Sequence, residues 1–196
     1  MRRLVLIGFL VLATVVCGRY KTPIPPEMLA PRAVDGLQIK GTAIGVSLAW
    51  TAPDEDRRGK ELKSIQGYSI ERKPLVQRGD ETDPKVKFEK LGFVTDKHVQ
   101  VREKLRAEAR AAGKVGRTIE SPEEHTKFSF MDSTAKLSST YLYKVVPHNQ
   151  GGIEGVVGQV ARVTFKGEAS DVLMVTGDEA GQNDGLPTGQ EPEQVR

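Results

Sequence analysis

The chain has 196 residues, 38% hydrophobic and 28% charged, with 29 Lys and Arg against 26 Asp and Glu. That length suggests one domain with appendages, and the absence of a concentrated basic stripe argues against a nucleic-acid surface. A single cysteine excludes an intrachain disulfide, so a hydrophobic core has to hold the fold.

Met1-Arg2-Arg3 gives a positive start, and Leu4 to Val16 is apolar except for Gly8 and Thr14. Such a stretch reaches only about 20 Å as a helix, short of the ~30 Å hydrocarbon core. Residues 1–16 therefore read as a secretory signal peptide. Cys17 follows directly, and then a run containing Pro23, Pro25 and Pro26. A lone cysteine at this junction resembles the lipid-attachment site of bacterial lipoproteins, although Val16 stands where that family usually has Gly, Ala or Ser. The resemblance implies an acylated Cys17 and a membrane held through that anchor.

Residues 17–33, with Pro31 as their fourth proline, read as an extended tether. Period-two alternation then begins. It marks strands around Leu37 and Ile39, Val46 to Trp50, Tyr68 and Ile70, Phe88 to Phe93, Phe128 and Phe130, Tyr141 to Val145, and Val163 and Phe165. Turn residues separate these segments, as in an antiparallel sandwich. Residues 96–113 break the period: Val101, Leu105, Ala109 and Ala112 recur at helical spacing among good helix formers. Thr95 or Asp96 is placed to cap this helix and Gly113 to end it. Residues 168–196 hold seven acids against Arg196 and read as a disordered acidic tail, in which only Val172 to Val175 has the pattern of an added strand. The folded domain is accordingly expected over 34–167.

Over Pro31 to Lys166 the residues resemble a fibronectin type III domain. Trp50 in Val46-Ser47-Leu48-Ala49-Trp50 matches that family's second strand, and Gly67-Tyr68-Ser69-Ile70-Glu71-Arg72 its third. Tyr141-Leu142-Tyr143-Lys144-Val145-Val146-Pro147-His148-Asn149 follows the family's Tyr-x-Tyr-x-Val-x-Ala-x-Asn pattern, with Pro147 in place of Ala. The resemblance implies an all-β, seven-stranded immunoglobulin-like sandwich with an inserted α-helix, and Tyr141 as its tyrosine corner. Pro147, lacking an N–H, implies an edge or a bulge. A single such domain behind a proline-rich tether resembles small envelope lipoproteins of Gram-negative bacteria, which implies an outer-membrane location.

Catalytic motifs are sparse. His98, His125 and His148 have no partner at metal-ligand spacing, and the chain contains no Gly-x-Ser-x-Gly elbow. His125 with Glu123 and Glu124 reads as a solvated acidic turn rather than a zinc site. Arg78-Gly79-Asp80 reads as turn chemistry rather than an adhesion element. The sequence thus points to a non-enzymatic binding or spacer module needing no cofactor, with a protein or polysaccharide partner. An accessory subunit of an envelope machine or of a polysaccharide-acting enzyme is the alternative. The inserted helix is locally basic, which makes Lys104, Arg106 and Arg110 the candidate partner contacts.

Overall fold

A computed structural model describes residues 22–75, 77–78, 81–82, 86–114 and 119–176. Cys17, the signal peptide, Gly79 and Asp80, and residues 177–196 of the tail lie outside the described residues. In chain order the strands are β1 (Asp35–Thr42), β2 (Gly45–Thr51), β3 (Gly67–Leu75), β4 (Gln77–Arg78), β5 (Glu81–Thr82) and β6 (Glu89–Thr95). Helix α1 (His98–Ala111) comes next, followed by β7 (Lys127–Asp132), β8 (Thr140–His148), β9 (Gln159–Thr164) and β10 (Asp171–Thr176). One antiparallel sheet has the order β1-β2-β7, the other the order β10-β9-β8-β3-β6, and β4-β5 is a small ribbon in the β3–β6 connection.

Each of the seven expected segments forms a strand, but the expected count of seven is corrected to eight across the two sheets. The addition is β10, which runs in unbroken register along β9 from Asp171↔Thr164 to Thr176↔Gln159. Gly167, at φ +67°, turns the chain back, and the Ser170 hydroxyl clamps the turn by accepting the Lys166 N–H at 2.9 Å and donating to Gly167 O at 2.5 Å. The β-branched Val172 and Val175 then favour pairing, so the sheet passes Gly167 and runs to Thr176.

The core lies between the sheets. Trp50, 2% exposed, meets Tyr68 edge-on at 5.4 Å and stacks on Phe128 at 6.1 Å. Tyr141 is buried, and its hydroxyl accepts the Lys136 N–H at 3.1 Å, the tyrosine-corner bond read from the sequence. Near that corner a polar pin joins the sheets. Asp132 on β7 accepts Arg72 Nη1 of β3 at 2.8 Å and the Tyr143 hydroxyl of β8 at 2.7 Å. Burial opposes ionisation of Asp132, but hydrogen bonds from Thr134 and Tyr143 and the Arg72 charge outweigh it, and the carboxyl titrates below its ordinary range.

Pro147 sits in β8, an inner strand of its sheet, yet costs no ladder bond. Pairing with β9 stops at Lys144↔Val160, and the Pro147 carbonyl instead accepts the Gly155 N–H at 2.7 Å. A strand residue's N–H and C=O point the same way, so the missing donor faces this unpaired flank rather than β3.

Candidate functional site

Helix α1 interrupts the β6–β7 connection, and its ends follow from capping chemistry. Asp96 Oδ1 accepts the His98 N–H at 2.7 Å, covering a donor that the first turn leaves free. At the other end Gly113 takes φ +70°, its N–H reaching Arg110 O at 3.0 Å while the Lys114 N–H reaches Ala109 O at 2.9 Å. This 6→1 and 5→2 pair is a Schellman stop.

The face turned to the sandwich is not the expected one. His98, Val99 and Arg102 are buried, whereas Val101 and Leu105 are half-buried and Ala112 is exposed. A count of apolar residues misses this stripe because two of its members are polar. One polar atom of each is bonded locally, His98 Nδ1 to Asp96 and Arg102 Nη2 to Leu62 O, while His98 Nε2 and Arg102 Nε are buried without a partner and ring and stem pack. Asp96, 1% exposed, takes His98 Nδ1 at 2.8 Å and the Tyr68 hydroxyl on its carboxylate. Burial, followed by the Asp96 charge, pushes the Tyr68 hydroxyl far above its ordinary pKa, so it stays a donor. Arg102 Nη2 donates to Leu62 O at 2.5 Å, and its Nε lies 3.3 Å from Glu61 Oε1 without hydrogen-bond alignment.

Beside this anchor lies an open cleft of about 660 Å³ between α1, the β2–β3 loop and the approach to β7. Arg102 and Arg106 line it together with Asp54, Glu55, Glu61, Glu120 and Glu123, so the lining is net acidic. Hydrogen bonds from Arg106 and then Lys63 lower the Glu61 carboxyl to about 2. Nearby Asp35 is shifted upward, first by burial and then by Asp54 and Glu55, which reports the same negative field. No group of three or more His, Cys, Asp or Glu among the described residues has the geometry to hold a metal ion.

The three candidate contacts separate. Lys104 is exposed, with Glu108 at 4.0 Å, and Arg110 is exposed in the last turn, where its charge suits the helix dipole. Arg106 is drawn inward, paired with Glu61 and with Glu103 at 2.9 Å. The accessible face of the helix is thus mixed in charge rather than basic. His125 is exposed in the short 3-10 turn Glu123–His125.

A second polar group, absent from the sequence reading, lies on the outer face of the five-stranded sheet. Ser69 Oγ is 2.8 Å from His148 Nε2 and 3.2 Å from Glu71 Oε1, and Glu71 pairs with Lys144 at 3.0 Å. Ser69 is 1% exposed, so its oxygen is closed to a substrate and the group acts as a cross-strand tie. Residues 79 positions apart give no local signal for such a contact.

No helix among the described residues is long and apolar enough to cross a membrane. No protein-family model matches the chain, and no curated protein matches its sequence. Several solved structures match parts of the chain at low similarity. The twitchin kinase region of C. elegans matches at TM-score 0.40 and 13% identity, over 70% of this chain and 17% of that one. The third fibronectin III domain of human KIAA0343 protein matches at TM-score 0.39 and 14% identity, over 76% of this chain and 95% of that one. A family 28 exopolygalacturonase of Yersinia enterocolitica matches at TM-score 0.34 and 14% identity, over 70% or less of either chain: 69% of this one and 20% of that one. The chain spans about a sixth of the twitchin region, at 17% of its length. The fibronectin type III-like character of the sandwich rests on its own strand order, the buried Trp50 and the Tyr141 corner.

Proposed function

We propose that this chain is a non-catalytic, lipid-anchored envelope protein of a Gram-negative bacterium. Acyl chains on Cys17 hold it to the outer membrane, and the fibronectin type III-like domain presents a binding or spacer surface. The spacer shortens from the expected 17–33 to residues 17–25, because Pro26–Leu29 form a 3-10 turn and buried Ala30 and Pro31 dock on the domain, Ala30 O accepting the Arg57 N–H at 3.0 Å and Pro31 O the Val156 N–H at 3.1 Å. The observation that supports the presented surface is the fixing of α1, while the anchor rests on the sequence around Cys17. Its inner face is bonded through buried Asp96, His98 and Arg102, while Lys104 and Arg110 stay exposed on the outer face. A helix held rigidly on a sandwich presents its outer face without an ordering cost on binding. The same exposed residues favour a second reading, an accessory subunit docking on an envelope machine or polysaccharide-acting enzyme through α1.

The test is phase partition of the full chain, together with its intact mass. Acylation of Cys17 predicts a detergent-phase protein with the leader removed, and Cys17→Ser should leave an uncut precursor or a released chain. A full-length chain with a free thiol overturns the anchor.

A further inference from the structure

We propose that β10 is a pairing edge through which two copies of this chain join, extending both five-stranded sheets into one. Sheet edges in folded proteins are normally blunted by charges, bulges or proline. Three of the four edges here are. β6 carries Glu89 and Lys90 and faces a register shift at Ile70/Glu71. β1 carries Lys40 and a register shift between Asp35 and Gln38, and β7 carries Lys127 and Asp132 at its two ends.

β10 has none of these devices. Its register along β9 is continuous, it contains no proline, and its only charge, Asp171, is at one end and paired with Lys166 at 2.8 Å. Val172, Leu173 and Met174 are 37%, 60% and 37% exposed. Val172 and Met174 lie opposite the fully buried Val163 and Ala161, so they share the core side of the sheet. The facing sheet covers them only in part. β1 comes close at Gly41, where an added Cβ would stand 2.1 Å from Gly167 O, just before β10 begins.

The occupant that fits is a second copy. In a two-fold antiparallel pair a residue on the axis faces its own counterpart. With Met174 on the axis, Leu173 meets Val175 of the second copy and Val172 meets Thr176. Asp171 is then carried away from its own counterpart, so no like charges oppose. By composition the chain that follows is poor in strand formers, since residues 177–196 hold five acids, four glycines and two prolines without apolar alternation.

The test uses the detergent-solubilised full chain. Opposed Cα atoms of an antiparallel pair stand ~4.5–5.5 Å apart, within the ~4.4–6.8 Å that a disulfide spans. Met174→Cys should therefore give a disulfide-linked dimer under mild oxidation, with the parent chain as the control for Cys17. Lys90→Cys, on the opposite edge, should give none. The parent should sediment as a dimer, and Leu173→Lys with Met174→Lys should sediment as a monomer with an unchanged far-UV circular dichroism spectrum and a lower melt, as loss of a stabilising dimer requires. A monomeric parent at every concentration, or a dimer that survives both lysines, overturns the proposal. So does a dimer that appears only on truncation after Thr176, which would make the tail the cover, or a monomer that binds a different protein along β10.

Discussion

His98 Nδ1 lies 2.8 Å from Asp96 Oδ2, with both side chains fully buried and only Lys97 between them in the chain. The same carboxylate takes the Tyr68 hydroxyl from β3, so a single acid couples the first turn of α1 to the centre of the sandwich. Removing it orphans three buried donors, the His98 N–H, His98 Nδ1 and the Tyr68 hydroxyl, each costing about 1–3 kcal/mol. Asp96→Ala should therefore lower stability far more than Tyr68→Phe, which removes one hydroxyl, costs about 1 kcal/mol and leaves the His98 bond in place. Urea titrations of the two variants give the comparison, and equal midpoints would remove Asp96 from its coupling role.

Trp50 bridges the sheets through Tyr68 and Phe128. Truncating a buried aromatic costs about 3–5 kcal/mol, against a typical total of about 5–15 kcal/mol. Trp50→Ala should unfold a large part of the population. A melt matching that of the parent would mean that the core is not centred on this indole.

Two carboxylates should shape the acid limb of stability. Glu61 falls from an ordinary 4.5 to about 2 through Arg106 and Lys63, and Asp132 is lowered as well. A depressed folded pKa gives stabilisation that is complete above the unfolded value and lost as pH falls through the folded one. Stability should accordingly drop between about pH 4.5 and pH 2, and Glu61→Gln should flatten part of that slope. Glu61 is partly exposed, so solvent screening keeps its share modest. Thermal melts from pH 2 to pH 7 decide it, and parallel curves for parent and variant would exclude Glu61 from the limb.

Period-two alternation found the inner strands because each has one buried face, as Val46, Leu48 and Trp50 show on β2, whereas edge strand β6 has no such alternation and leaves Phe93 exposed. Tyr141 was legible down to its hydroxyl bond because the corner is local, reaching back five residues to Lys136. β10 was legible as a segment but not as part of the domain, because its residues remain exposed and leave no buried alternation. The anchor of the helix was hidden for a different reason. His98 and Arg102 count as polar in any pattern, and the groups that make them core residues, Tyr68 and Leu62 O, lie 30 and 40 residues earlier in the chain. Among the candidate contacts, a charge count could not distinguish Arg106, turned toward Glu61, from the exposed Lys104 and Arg110.

The buried face of α1 also decides what its removal does. Loop length alone costs little, about 0.6 kcal/mol per doubling, so an insertion resting on a shallow contact would be dispensable. Replacing residues 97–117 by a short Gly-Ser link, however, strips His98, Val99 and Arg102 from the core. It leaves Tyr68 as the remaining hydrogen-bond partner of buried Asp96 and takes the Arg102 donor from Leu62 O. A buried carboxylate deprived of partners and a lost Val99 should together destabilise the domain by several kcal/mol, at about 1–3 kcal/mol per unsatisfied group. Lys104→Glu with Arg110→Glu touches only exposed side chains and should stay within about 0.5 kcal/mol of the parent. Urea midpoints measure both changes. A deletion that melts like the parent would show that α1 rests on the sandwich without completing its core, and a large loss from the charge reversal would show that its outer face is engaged within the fold.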